Sequence, residues 1–262
     1  MPPVALTDVG IDVRVNGVAV VEIQRPPNNF FDVALIEGLV GVLNGLQDRG
    51  DVRSVVLASQ GKHFCAGADF AGGSGAAQVS ADEGTRALYQ AAVRLFECTL
   101  PVVAAVQGAA IGGGLGLALA ADFRVASEES RFAANFARLG LHHGFGLTAT
   151  LPRVVGPQHA ADLLMTGRRI HGREALRIGL VDRLVDSDSI RPLAISLADE
   201  LAEAAPLALR SIRATLRGGL AEEVARATEH ERSEQAWLRD TNDFAEGIRA
   251  SAERRKPAFT GR

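Results

Sequence analysis

Two short glycine-bearing loops are where residue type and spacing in this 262-residue sequence could do chemistry. The first is His63–Phe70, HFCAGADF, directly after a β-rich run. Gly67 there lets the backbone turn with positive φ or approach a ligand closely, and small neighbours leave peptide N–H groups free to point at an anion. The second is Gly112-Gly113-Gly114, which follows the apolar run Val102–Val106 and opens a helix of small residues. A helix N-terminus carries unpaired N–H donors and partial positive charge, which suits an oxyanion or a phosphate. Taken singly, each loop reads equally as a tight turn or as close helix–strand packing. Neither is a phosphate-binding P-loop, because no Gly-Lys-Ser/Thr follows. The dinucleotide fingerprint fails as well, since Leu117 and Leu119 stand where its third glycine belongs. Gly72-Gly73-Ser74-Gly75-Ala76 lacks the last glycine of an esterase elbow. Side chains that could move a proton near neutral pH are fewer, and His142 with His143 in LGLHHGFG, six and seven residues beyond Phe136, are candidates.

The elements that must position these loops alternate. Val18–Ile23 is a strand ending at Arg25-Pro26-Pro27, and Val33–Leu46 has apolar residues at helical spacing. Val55–Ala58 is a strand, Gly72–Ala76 a mobile loop, and Glu83–Cys98 a helix broken by Thr99-Leu100-Pro101. Val102–Val106 is a buried strand, and Phe123–Ala126 another. Alternation of this kind predicts an α/β fold with mostly parallel pairing. After a soft boundary at 189, residues 190–255 are rich in Ala, Leu, Arg and Glu and read as three or four amphipathic helices that need a partner surface. Two units follow: a ligand-binding core over 1–189 and a helical region over 190–262.

Composition narrows the function classes. A formal charge of −3 gives no basic field for nucleic acid or an anionic membrane, so an anionic ligand must be met locally. Cys65 and Cys98 fit neither a disulfide framework nor a metal spacing, and no metal site is expected. The start MPPVALTDVGIDVRV has no signal-peptide character, and Pro101–Ala121 carries too many glycines for a membrane span. A cytoplasmic home follows as an expectation.

Several segments in order resemble the crotonase (enoyl-CoA hydratase/isomerase) superfamily. They are the strand with Arg25-Pro26, FCAGAD, PVVAAVQGAAIGGG, AADFRVA, the stretch Leu164–Val185, and the tail AERRKPAFTGR. The resemblance implies a ββα spiral core with C-terminal helices that assemble a homotrimer or a dimer of trimers. It implies an acyl-CoA thioester as ligand, with coenzyme A arriving as part of the substrate and no separate cofactor. It places an oxyanion hole at the amides of Ala68 and Gly113, with Ala66, Gly67, Asp69, Phe70, Gly112 and Gly114 around it. Arg254 and Lys256 would meet the CoA phosphates, a role equally open to a solvated helix end.

The match breaks where the family's hydratases hold two glutamates. The position two residues after the triple glycine is Gly116, and the one twenty further on is Phe136. Neither moves a proton, so hydration by the usual route is not expected, and His142 or His143 is the candidate acid/base. Asp69 and Asp122 read as structural; His63, His159, His171 and His230 as surface residues; Tyr89 and Glu83 as pocket-wall candidates. Phe70, Phe132, Phe136 and Phe145 would line an acyl tunnel or the core. Two readings remain: an enzyme with atypical acid/base residues, or a non-catalytic acyl-CoA binder of the same fold.

Overall fold

A computed structural model describes residues 8–68 and 81–262. Asp69, Phe70 and the Gly72–Ala76 segment lie outside the described residues. The chain runs β1 (Val9–Val13), β2 (Val18–Ile23), α1 (Val33–Asp48), β3 (Ser54–Ser59), α2 (Ala81–Phe96) and β4 (Val102–Val106). Then come β5 (Ala109–Ile111), α3 (Gly113–Ala120), β6 (Phe123–Ala126), β7 (Arg131–Ala133) and a 3₁₀ turn, Asn135–Leu139. The rest is α4 (Leu147–Thr166), β8 (Ile170–His171), α5 (Gly172–Arg177), β9 (Arg183–Leu184), α6 (Ile190–Glu203), α7 (Pro206–Leu216), α8 (Leu220–Leu238) and α9 (Asn242–Ala252).

The main sheet has the order β1-β2-β3-β4-β6-β9, parallel from β2 onward with β1 antiparallel at one edge. β4 is apolar throughout and β3 is apolar but for its end serines, because both faces are covered, as a parallel sheet requires. The period of two sorts the side chains. Ala19, Val21, Ile23, Val55, Leu57, Ala104 and Val106 enter the large core with α1 and α2, whereas Val18, Val20, Val56, Ala58, Val103 and Ala105 face α6. The expected alternation is therefore present, and α6 finds its partner surface on this chain's own sheet. A second, three-stranded sheet, β5-β7-β8, was not foreseen, since strands of two or three residues carry no period to read.

Four helices follow residue 189. α8 packs on α2 and α4, and α9 on the 3₁₀ turn. A methyl on Gly247 would lie 2.5 Å from the Leu139 carbonyl, so glycine there sets the α9 approach. α7 is held by charge more than by apolar contact: Leu207, Ile212 and Leu216 are exposed, while Arg213 is buried. The Asp122 carboxylate accepts from Arg213 Nε at 2.8 Å, Arg217 at 2.7 Å and the Val102 amide at 2.8 Å, and Arg213 also donates to the Cys98 carbonyl. Asp122 is thus the structural aspartate the sequence suggested.

Removing one member of a shielded ion-pair cluster strands the others away from water. Asp122→Ala is expected to lower unfolding free energy by about 3 kcal/mol in urea titrations. Arg210→Ala, at a half-buried guanidinium without a carboxylate partner among the described residues, should cost less.

Candidate active site

The two glycine loops are brought side by side by backbone pairing. Cys65 bridges Ala110 in β5: its amide donates to the Ala109 carbonyl at 2.9 Å, and the Ile111 amide donates back to Cys65 at 3.0 Å. Ala68 bridges Phe31 on the other side, with the Phe31 amide donating to the Gly67 carbonyl at 3.0 Å. The Ala66 amide donates to Asn28 at 2.9 Å. Asn29, fully buried with φ 49°, ties the strap from both ends. Its amide nitrogen donates to the Gln60 and His63 carbonyls, and its carbonyl oxygen accepts from the Arg25 amide. Asn tolerates the left-handed region better than most residues. Sequence reading missed Asn29, although Asn two residues after Pro27 is a turn signal.

Gly67 has φ +98°, and a methyl there would meet the Ile111 carbonyl at 3.0 Å and the Gly113 nitrogen at 4.0 Å. A methyl on Gly114 would lie 2.1 Å from the Cys65 carbonyl. Both loops therefore need glycine for backbone-to-backbone approach. Gly112 sits at φ 57°, ψ −122° as the cap of α3, its amide donating to Ala133 at 2.8 Å. Among the described residues the amides of Ala68 and Gly113 have no backbone acceptor. The two glycine loops thus meet in a corner beside the N-terminus of α3, where backbone donors suit an anion.

Phenyl rings surround this corner. A methyl on Gly113 would lie 2.4 Å from Phe31 Cζ and 3.3 Å from Phe145 Cδ2. One on Gly116 would lie 2.7 Å from Phe145 Cδ1 and 2.9 Å from its Cβ. Phe136, buried in the 3₁₀ turn, puts its Cζ 3.5 Å from a methyl on Gly112. The Phe31 and Phe145 rings pack with centroids 5.1 Å apart, tilted 52°. Phe132 is core, fully buried. Phe145 itself has φ +61°, a conformation that costs a bulky residue about 1–3 kcal/mol and persists only when its surroundings hold it.

What holds it is α8. Glu231, fully buried, accepts from the Gly146 amide at 2.8 Å and from the Thr148 amide and hydroxyl at 2.9 and 2.7 Å. It thereby caps the N-terminus of α4. Burial pushes its carboxyl above the ordinary carboxylate range, and the Thr148 and Gly146 bonds oppose that rise. Gln235 donates to the His142 carbonyl at 2.9 Å and accepts from the Tyr89 hydroxyl at 3.1 Å. Tyr89 is buried against Gly144, where a methyl would lie 1.9 Å from its hydroxyl oxygen. Glu231 and Gln235 were not singled out from sequence. The available signal is that they fall on the same inward stripe as Leu220, Val224 and Thr228.

His143 Nε2 lies 2.8 Å from the Thr148 hydroxyl. Since that hydroxyl donates to Glu231, its oxygen accepts the Nε2 proton, and the lone pair rests on Nδ1. Burial, then the nearby His142 and His230, lower the His143 pKa to about 4. His142 donates from Nδ1 to the His143 carbonyl at 2.8 Å, stacks on His143 at 4.1 Å between centroids, and meets His230 edge-on at 5.8 Å. His230 is exposed as expected, yet belongs to this cluster.

Other expected residues fall as follows. His159 and His171 are exposed, but His63 is not a surface residue in the sense anticipated. Its Nδ1 is shut from solvent without a partner among the described residues, and burial lowers its pKa. Glu83 is exposed. Cys65 and Cys98 are buried free thiols, and burial pushes Cys65 up to about 12, which removes it as a nucleophile at neutral pH. Arg254 and Lys256 are exposed beyond α9. Among the described residues no group of His, Cys, Asp and Glu converges as a metal site, and no helix is long and apolar enough to cross a membrane.

The chain belongs to the enoyl-CoA hydratase/isomerase family, whose model matches residues 14–262. A carnitinyl-CoA dehydratase of Proteus mirabilis is 32% identical over 254 residues, covering 92% of this chain and 94% of the relative. The crystal structure of an enoyl-CoA hydratase/isomerase from Pseudoalteromonas atlantica T6c superposes with TM-score 0.84 at 31% identity, over 97% of this chain and 100% of the other. An enoyl-CoA hydratase from Mycobacterium avium subsp. paratuberculosis K-10 gives TM-score 0.85 at 27% identity, over 97% and 99%.

A histidine whose folded pKa lies near 4 against an ordinary 6.5 is protonated more readily in the unfolded chain. Its contribution to stability is complete above pH 6.5 and is lost as pH falls from there through 4. Melting temperature should therefore drop over that interval, and His143→Asn should shallow the drop; an unchanged slope would refute the burial of a neutral ring.

Proposed function

We propose that the chain binds an acyl-CoA thioester with its carbonyl oxygen between the Ala68 and Gly113 amides. The juxtaposition of Gly67 with Gly113 supports this reading most: loops more than forty residues apart meet through glycines that leave no room for side chains. As a thioester enolate forms, negative charge grows on that oxygen, and fixed amides stabilise it with no reorganisation. One such donor is worth about 2.7–4 kcal/mol in comparable sites.

The acid/base differs from the hydratase pattern. Gly116 and Phe136 hold no proton at the two glutamate positions, and the Phe145 ring packs against Gly116. His142 and His143 are the proposed proton acceptors in their place: donating from Nδ1 and Nε2 respectively, they keep lone pairs on Nε2 and Nδ1. The absence of both glutamates favours a second reading in the same family, an acyl-CoA binder that turns nothing over. Either reading uses coenzyme A only as part of the ligand, with no further cofactor or metal. The exposed apolar face of α7 and the exposed Arg254 and Lys256 suit a trimer or dimer of trimers in which the tail meets CoA phosphates.

Crotonyl-CoA is the direct probe. It should raise the melting temperature, while free NAD or ATP should not. Hydration, followed as loss of the conjugated thioester absorbance, should run about 10²–10⁴-fold below that of a relative with both glutamates, the usual worth of a general acid/base. Ala68→Pro removes one amide donor and should weaken crotonyl-CoA binding or turnover. Residual turnover abolished by His143→Ala supports the enzyme; tight binding without turnover supports the binder. Equal protection by NAD and acyl-CoA would overturn the proposal.

A further inference from the structure

The space beside the glycine corner is filled by a side chain in an unfavoured backbone conformation, and its placement bears on which acyl groups fit. Phe145 is 1% exposed, and its ring and Cβ occupy the volume any side chain at position 116 would need. The same ring edge reaches Gly113, and Phe31 and Phe136 complete the wall around the Gly112–Gly116 turn. The rings of this wall offer no hydrogen-bond donor or acceptor beyond weak π contacts. Among the described residues, Asn135 Oδ1 lies at the Gly112 end of the turn, 3.4 Å from where a methyl on Gly112 would sit, whereas at the Phe145 end the polar side chains Tyr89, Gln235 and Glu231 are committed elsewhere. The Tyr89 hydroxyl serves Gln235, Gln235 serves the His142 carbonyl, and Glu231 accepts from Gly146 and Thr148.

We propose that Phe145 is a specificity-determining residue, whose ring closes the space beside Gly116 to water and selects acyl-CoA thioesters that are apolar next to the thioester over 3-hydroxyacyl-CoA thioesters. This rests on the thioester lying at the Ala68–Gly113 corner. From there the α- and β-carbons extend along the phenyl wall. A hydroxyl on a β-carbon laid against the Phe145 ring is desolvated with no uncommitted side-chain partner there among the described residues, whereas a methylene gains contact. Gly116 and Phe145 are then one steric unit: the missing side chain at 116 is what admits the ring.

Affinities of butyryl-CoA and 3-hydroxybutyryl-CoA, measured by calorimetry on the full chain, test the proposal. The unaltered protein should prefer butyryl-CoA by about tenfold or more, the worth of one unpaired buried hydroxyl. Phe145→Gly, which suits the positive φ while removing the ring, should cut that preference to about threefold or less. A thermal-melting cycle on Gly116→Ala, Phe145→Gly and the double variant provides a second readout. Gly116→Ala should lower the melting temperature alone and have little effect once the ring is gone. Equal affinities in the unaltered protein, or a preference that survives Phe145→Gly, would overturn the inference while leaving acyl-CoA binding intact. Binding of neither thioester would instead overturn the proposed function, and this inference with it. Additive effects in the melting cycle would refute the steric unit on their own.

Discussion

Contact between two stretches of bare backbone is the constraint on which the rest of this structure depends. Cys65–Gly67 lies against Ile111–Gly114 so closely that a methyl on Gly114 would sit 2.1 Å from a carbonyl oxygen. At Gly67 and Gly114 nothing larger than glycine fits. Backbone bonds from Cys65 to β5 and from Gly67 to Phe31 hold the seam from both sides. Held in this way, the seam fixes the backbone on which the proposed oxyanion hole rests, and rigidity is what makes such donors effective toward developing charge.

From that constraint follows the way this chain departs from the hydratases it resembles. A helix that begins at the seam presents its first turn to the same corner, and whatever stands at position 116 meets the Phe145 ring. Here glycine stands there, and the volume goes to Phe145 from another segment. The exchange requires a phenylalanine in the left-handed region, held by Glu231 on Gly146, Gln235 on His142 and burial of the ring on Phe31. The C-terminal helices therefore do more than cover the core. α8 fixes the turn that shapes the site, α6 closes the outer face of the sheet, and α7 is tethered through Asp122.

Much was legible along the chain because local signals and tertiary demands agree. Continuous apolar runs such as VVAAV mark strands buried on both faces, and the spacing from Leu35 to Leu46 marks a helix with one buried stripe. Asp122 read as structural, and it is the acceptor for two arginines. Other features were not legible. β8 and β9 have two residues each and owe their extended form to their neighbours. His63 looked like a surface residue, yet its Nδ1 is sealed against Gly108, where a methyl would lie 2.7 Å away.

By itself the sequence determined the α/β alternation, the two glycine loops, and the absence of carboxylates at positions 116 and 136, because these reside in local residue type and spacing. Tertiary structure alone decided that Phe145 takes the volume left by Gly116, and that Glu231, 85 residues from Gly146, caps the turn bearing both histidines. No period or motif encodes those pairings. They arise from close packing between distant segments, where the shape of one side chain is defined only by the space another leaves.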